Sequence, residues 1–485
     1  MFRLLKRKKH RWDLANVLLP LSKKEFLSIG DVCENIHMFG APGAGKTTGS
    51  GAALRNAMLL NEWGGWVGTV KPDETDNWLR AAKRLGKLNN VIVMGANQPW
   101  RFNWMNYEMN RAGHGAGLTQ NLLAFTEQLG ELAHRSRGHG QTSEPFWPQA
   151  SAELQGATLD ILRLSIGQVS IEYMQKLILS APTSLEIANS ATWRQSSLLW
   201  ACLEEARKRP LSERDRYDLD AAENYFLQKY AGWSDKTRST VVAVFSALAA
   251  PLDRGIIREI FGTTTNLDPS VIDAGKIIIT HFPVSEFREA GLFAQAIVKL
   301  EIQRWVQRRL AGPETRPVFL YADEGHYLYT SADQLFATTS RSSKCALLTL
   351  TQNLNNYYSA CGGGEHGKAE VDALMGCYGT LIAHANMCNV TNTWLADKIG
   401  RVAQEFPSMN TNLSSQAPWD WSGQQSTGCG FSTSLSYEIE PSFFGSGLRR
   451  GGPSCGWTVD GLVLSNGRLW PSTGRPWMVA QFRQK

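Results

Sequence analysis

Two short runs in this 485-residue sequence hold residue types whose order and spacing suit phosphate chemistry. The first, Gly40-Ala41-Pro42-Gly43-Ala44-Gly45-Lys46-Thr47, matches G-x-x-x-x-G-K-[ST] at every fixed position. Gly40, Gly43 and Gly45 let backbone N–H groups curl around phosphate oxygens, and the helix start that follows adds a partial positive charge. Lys46 is expected to bridge the β- and γ-phosphates, and the Thr47 hydroxyl to ligate a magnesium ion. The whole cradle is read as Gly40 through Thr48, and it calls for ATP and Mg2+. A glycine-rich turn that merely precedes a helix is the bland alternative, and the complete match weighs against it.

The second run must supply a carboxylate for the metal and a base for water at the end of a buried strand. Val318 to Ala322 followed by Asp323-Glu324 fits, with Asp323 in the magnesium shell and Glu324 polarising the attacking water. An acidic pair closing an apolar strand also serves as a helix cap or surface turn, and Lys46 is what favours the catalytic reading. Gln352, in the Thr351-Gln352-Asn353 run that ends the strand Ala346 to Leu350, is a γ-phosphate sensor or else a satisfied turn residue. Arg341 is an arginine finger for a neighbouring subunit's nucleotide or a surface ion-pair partner. His326 reads as a packing or surface histidine before it reads as a sensor.

These residues need a particular scaffold. Ile36 to Phe39 is a short strand entering the glycine-rich loop, and Thr47 to Leu60 reads as the helix leaving it, with Ala53, Ala57 and Leu60 on one face. Further strands are expected at 66–70, 91–94, 276–281, 317–322, 345–351 and 379–384, with an amphipathic helix over 293–305. That alternation is the grammar of a parallel sheet flanked by helices. Between 111 and 258 helical periodicity takes over, as at Leu154, Ala157, Ile161 and Leu164, which predicts an inserted all-helical domain. The organisation read from the sequence is therefore a basic segment at 1–30, a nucleotide-binding domain in two parts at 31–110 and 259–406, and the insertion at 111–258. A flexible polar segment follows at 407–436, rich in Ser, Gln, Asn and Gly. A C-terminal β-ribbon at 437–485 is expected to complete the motor domain.

Composition narrows the class. Hydrophobic residues make up 43% and charged residues 19%, a globular balance, and a net charge of +6 tolerates a polyanionic partner without demanding one. The 8 cysteines contain no C-x-x-C pair, which suits a reducing compartment better than a zinc site or disulfide framework. The longest nearly apolar stretch, Val241 to Leu252, falls short of the roughly 20 residues needed to span a bilayer. The N-terminal cluster Arg3, Lys6, Arg7, Lys8, Lys9 and Arg11 is either a solvated tail or a contact for anionic lipid or nucleic acid.

At these motifs the sequence resembles the type IV coupling proteins of conjugation and type IV secretion, within the FtsK/HerA class of P-loop motor ATPases. The likeness covers most of the chain after residue 30. Its anchors are Gly40 to Thr47, Phe146-Trp147, Asp273-Ala274-Gly275-Lys276, Asp323-Glu324, Thr351-Gln352-Asn353 with Tyr357, Ala396 to Gly400, and Gly474-Arg475-Pro476-Trp477 ahead of Phe482. The resemblance implies an α/β, RecA-like P-loop fold with a mainly parallel sheet and the all-helical insertion. It also implies a homohexameric ring that moves DNA independently of sequence, with relaxase or secretion-channel components as partners. An arginine lies between the acidic strand and the sensor glutamine in that family, the place Arg341 occupies. Two departures stand out: no membrane-spanning helix is read here, and Val70-Lys71-Pro72-Asp73-Glu74 replaces the family's aspartate-proline-lysine turn. The expected location is the cytoplasm, with membrane contact at its inner face only through a partner or the basic N-terminus. A soluble HerA-like motor in DNA processing or defence, and a nucleotide-gated adaptor for protein substrates, are the competing readings.

Overall fold

A computed structural model describes residues 10–136, 146–414 and 424–484. The strands are β1 (Val17–Pro20), β2 (Phe26–Ser28), β3 (Ile36–Phe39), β4 (Gly64–Gly68), β5 (Val91–Gly95), β6 (Ile277–His281) and β7 (Val318–Ala322). They continue with β8 (Cys345–Thr351), β9 (Thr380–Ala383), β10 (Arg401–Ser414), β11 (Gln424–Tyr437), β12 (Thr458–Ser465) and β13 (Trp477–Arg483). Nine of them form one sheet in the order β13-β12-β9-β3-β8-β7-β4-β6-β5. From β9 to β5 every neighbouring pair is parallel, while β12 is antiparallel to both β9 and β13. The fold is thus a mostly parallel α/β sheet flanked by helices, as the sequence implied.

The central strands are apolar runs because both of their faces are covered. Leu320 and Leu347 point into one core with Phe293, Ile297 and Leu300 of the helix Val284–Arg308. Their neighbours Phe319, Tyr321 and Leu348 point into the other, with Leu54 and Met58 of the helix Ser50–Leu60 and Trp78 of the helix Asp73–Arg84. This alternation has the strand period of two, and each fully buried Leu, Met or Phe adds about 1.5–3 kcal/mol. Close approach fixes the start of β4, since a Cβ on Gly64 would lie 1.8 Å from the Ile272 carbonyl oxygen.

Between β5 and β6 the described residues from Trp104 to Phe261 are helical apart from their connecting turns. The two ends of this run are strapped together, with Phe102 N–H donating to Ile260 O at 2.7 Å and the Asn103 amide reaching Val169 O and Thr263 O at 3.2 and 3.3 Å.

Three local features differ from the sequence reading. The loop helix begins at Ser50 rather than Thr47, because Lys46 to Gly49 stay in turns and Gly49 carries non-helical angles of φ −98° and ψ −98°. Where loop-like composition was read at 407–436, β10 and β11 pair along a 14-residue antiparallel register. Pairing of the two strands along the whole register overrides the weak strand propensity of Ser, Gly and Asn there, while 415–423 lie outside the described residues. One face of that ribbon carries the exposed Met409, Phe431 and Leu435. Within 1–30, β1 and β2 form a small hairpin packed on the helix Ser50–Leu60, whereas Arg3 and Lys6 to Lys9 lie outside the described residues.

Candidate functional site

The sheet order places β8 between the loop strand β3 and the acidic strand β7, so the two functional strands lie two spacings, or about 10 Å, apart. Side chains cross that gap at the carboxyl ends of the strands. Thr47 Oγ1 donates to Asp323 Oδ2 at 2.8 Å. Lys46 Nζ pairs with Glu324 Oε1 at 3.2 Å, and Gln352 Nε2, just after β8, donates to the same oxygen at 3.1 Å. The structure therefore brings together Lys46, Thr47, Asp323, Glu324 and Gln352.

Glu324 is held unusually. Its backbone is left-handed, with φ 52° and ψ 49°, which for a non-glycine residue costs on the order of 1 kcal/mol or more. The Asp323 carboxylate accepts the Glu324 N–H at 3.0 Å and steadies that turn. The second carboxylate oxygen, Oε2, is buried without a hydrogen-bond partner, with His326 Nδ1 3.7 Å away. One oxygen is thus anchored by Lys46 and Gln352, while the other accepts no hydrogen bond. His326 contacts Thr351 Oγ1 at 3.2 Å, and its pKa falls to about 4, chiefly through burial, so the ring is neutral near pH 7.

The loop itself bends through Gly43 (φ 71°) and Gly45 (φ 87°), conformations that glycine adopts without strain. The loop is hung from the sheet, with Gly40 N–H donating to Thr351 O at 3.3 Å and Ala41 N–H to Ala385 O at 3.0 Å. A Cβ on Gly40 would meet His384 Cβ at 3.0 Å, and one on Gly45 would meet Val459 Cγ2 of β12 at 2.7 Å. His384 supports the loop helix from below through Ser50 Oγ at 2.7 Å. Burial lowers the His384 pKa to about 4.

Several residues near the loop escaped the sequence reading. Glu74 accepts the Val70 N–H at 2.7 Å and lines a small cavity with Thr47, Trp78, Tyr321 and Asp323. Burial, and then the Asp323 charge, push its pKa up to about 8. Burial opposes the charge on Lys71, but Asp323, Glu74 and Glu324 outweigh it and hold the ammonium above its usual pKa. The only sequence signal for this corner was the departure at Lys71-Pro72-Asp73-Glu74. From the C-terminal part, Arg450 reaches Pro42 O at 2.8 Å and Gln484 reaches Thr48 Oγ1 at 2.7 Å.

Arg341 is not in this cluster. It lies in a turn before β8, at the amino-terminal edge of the sheet, where it pairs with Glu34 at 3.0 Å and is 63% exposed. The oxygen donors Thr47 Oγ1 and Asp323 Oδ2, 2.8 Å apart in the loop corner, are of the kind that could hold a hard cation. Among the described residues, no helix is long and apolar enough to cross a membrane.

No family model matches the chain, and no curated protein matches it in sequence. Solved structures do match over nearly its whole length. The plasmid coupling protein TrwB in complex with a non-hydrolysable ATP analogue aligns at a TM-score of 0.56 and 13% identity, over 96% of this chain and 91% of that one. The bacterial conjugative coupling protein TrwBdeltaN70, unbound, aligns at 0.53 and 13%, over 97% and 89%. TrwB with ADP and Mg2+ aligns at 0.52 and 13%, over 96% and 90%. At this identity the likeness is one of fold.

Proposed function

We propose that this chain is a P-loop ATPase of the type IV coupling protein family, hydrolysing ATP with Mg2+ to move DNA. The observation that carries the proposal is the convergence of Lys46, Thr47, Asp323, Glu324 and Gln352 at the ends of β3, β7 and β8. The fold is shared with TrwB, whose structures hold an ATP analogue or ADP and Mg2+. The loop N–H groups and Lys46 bind the triphosphate, while Thr47 and Asp323 would hold the metal. Bound Mg2+ would neutralise charge on the β- and γ-phosphate oxygens. Lys46 exchanges Glu324 for phosphate, which releases Glu324 to orient a water through its carboxylate. The water oxygen bonds to the γ-phosphorus, the bond to the β-bridging oxygen breaks, and Glu324 receives the proton. Gln352 keeps Glu324 in register throughout.

Arg341 faces away from its own loop, and in a homohexameric ring it would complete the site of the adjacent subunit. The ring would grip DNA through phosphates, independently of base sequence. Relaxase or secretion-channel components are the proposed partners. The proposed location is the cytoplasm, at the inner face of the membrane when a partner or the basic N-terminus recruits the protein. The test is ATP turnover by the purified protein with Mg2+ and single-stranded, double-stranded or no DNA, alongside its mass in solution. DNA-stimulated turnover by an assembly larger than a monomer is expected. Absence of turnover under all three conditions would refute the proposal.

A further inference from the structure

The ATP-binding reading includes no residue C-terminal to Gln352, yet the C-terminal segment covers the loop. An isolated antiparallel bridge pairs Arg450 with Val459, which lays the segment before Gly451 along the start of β12. Extended backbone sends successive side chains to opposite sides. Arg449 turns to Asp460, with Nε to Oδ2 at 2.8 Å and the second fork arm to Oδ1 at 2.7 Å. Arg450 turns to the loop, where one terminal nitrogen donates to Pro42 O at 2.8 Å and lies 3.8 Å from where a Cβ on Gly43 would be. Among the described residues Arg450 has no carboxylate partner, and its side chain belongs to an exposed residue. Gln484 secures the following turn, accepting Gly452 N–H and donating to Thr48 Oγ1, each at 2.7 Å. Val459 closes the arrangement from beneath by packing where Gly45 lacks a side chain.

A guanidinium fixed by one donor beside a phosphate-binding loop, with no acid among the described residues to neutralise it, is preset for an anion. We infer that Arg450 is a second nucleotide-binding cation, acting in cis and contacting the polyphosphate held by the loop. Its role differs from that of Arg341, which sits beside Glu34 at the opposite, amino-terminal end of the strands. The inference rests on the ATP-binding reading of the same loop.

The test is titration calorimetry of the full chain with a non-hydrolysable ATP analogue and Mg2+, using wild type, Arg450→Ala and Arg450→Lys. The melting temperature of each nucleotide-free protein is measured in parallel. A charge-assisted bond at a partly exposed site predicts about tenfold weaker binding for Arg450→Ala. Arg450→Lys should recover part of that loss, and the nucleotide-free melting temperatures should stay within about 2 °C of one another, because the bond to Pro42 O is a single exposed one. Unchanged affinity in Arg450→Ala would overturn the inference while leaving the ATP reading intact. Equal losses in the Ala and Lys variants, matched by lowered melting temperatures, would also overturn it and reduce Arg450 to a structural clip. Failure of wild type to bind the analogue would overturn both readings.

Discussion

Replacing Glu324 with glutamine separates two roles that the site combines in one side chain. Glu324 Oε1 now holds Lys46 at 3.2 Å and Gln352 at 3.1 Å, and the ion-pair side chains are only 7% and 4% exposed. Glutamine keeps the shape and can still accept from both donors, but it has no charge and takes up no proton. Removing one partner of a buried pair costs about 3–5 kcal/mol. Because the amide oxygen still accepts from Lys46, about 1–3 kcal/mol is the expected loss. The nucleotide-free protein should therefore melt a few degrees lower. Phosphate oxygens no longer compete with a carboxylate for Lys46, so ATP should bind more tightly, by about tenfold for each 1.4 kcal/mol released. Hydrolysis should fall by about 10²-fold or more, since the positioned base is gone. Melting curves with and without the ATP analogue, a binding titration and steady-state turnover measure the three effects. Turnover within about fivefold of wild type would show that another group takes the proton. Weaker ATP binding in Glu324→Gln would refute the partner exchange at Lys46.

Mixing Lys46→Ala with Arg341→Ala tests the neighbour's contribution. Each variant alone should be inactive, and co-assembled rings, verified by mass, should regain DNA-dependent turnover because an intact loop can borrow an intact finger; turnover no higher than the parents' would refute the trans role. DNA affinity should be nearly independent of sequence and should fall by orders of magnitude between about 50 and 200 mM salt, and an affinity that barely changes would refute phosphate tracking. Glu301, buried against Glu108, has its pKa raised to about 8 by burial first and the Glu108 charge second. A raised carboxyl pKa adds stability below the unfolded value of 4.5 and loses it as pH rises through about 8. Glu301→Gln should thus melt close to wild type at low pH and above it at higher pH, and parallel pH profiles would refute that assignment.

What could be read from the sequence follows the range of the interactions involved. The loop from Gly40 to Thr47 is legible because its chemistry is local, with glycines, Lys46 and Thr47 contiguous in the chain. The strands β3, β7 and β8 are legible as apolar runs because both faces of the sheet are covered. Their order is not, and that order is what brings Glu74 beside Thr47 and Asp323. Arg450 and Gln484 were invisible for the same reason, their partners Pro42 and Thr48 lying 408 and 436 positions away. The β10–β11 ribbon was missed because its register is a property of two strands together. Taken singly, each strand is the serine- and glycine-rich run that composition assigns to loops.

The sheet also constrains how sites can be completed between copies. The loop lies at the carboxyl end of β3, where Phe39 is in register with Thr351 at the end of β8. Arg341 precedes the start of β8, and β8 is 7 residues long, which at about 3.3 Å per residue spans about 23 Å. An arginine anchored there by Glu34 cannot turn back to its own loop, so a nucleotide that it meets belongs to another copy. The surface offering Arg341 and the surface offering the loop then lie at opposite ends of neighbouring strands, and a contact between them would be heterologous. Such contacts repeat head to tail until the rotation closes a ring or extends a filament. Arg450 needs no such neighbour, because β12 carries it to the loop of the same chain. The site would therefore draw one arginine from within and one from outside, and assembly would control only the second.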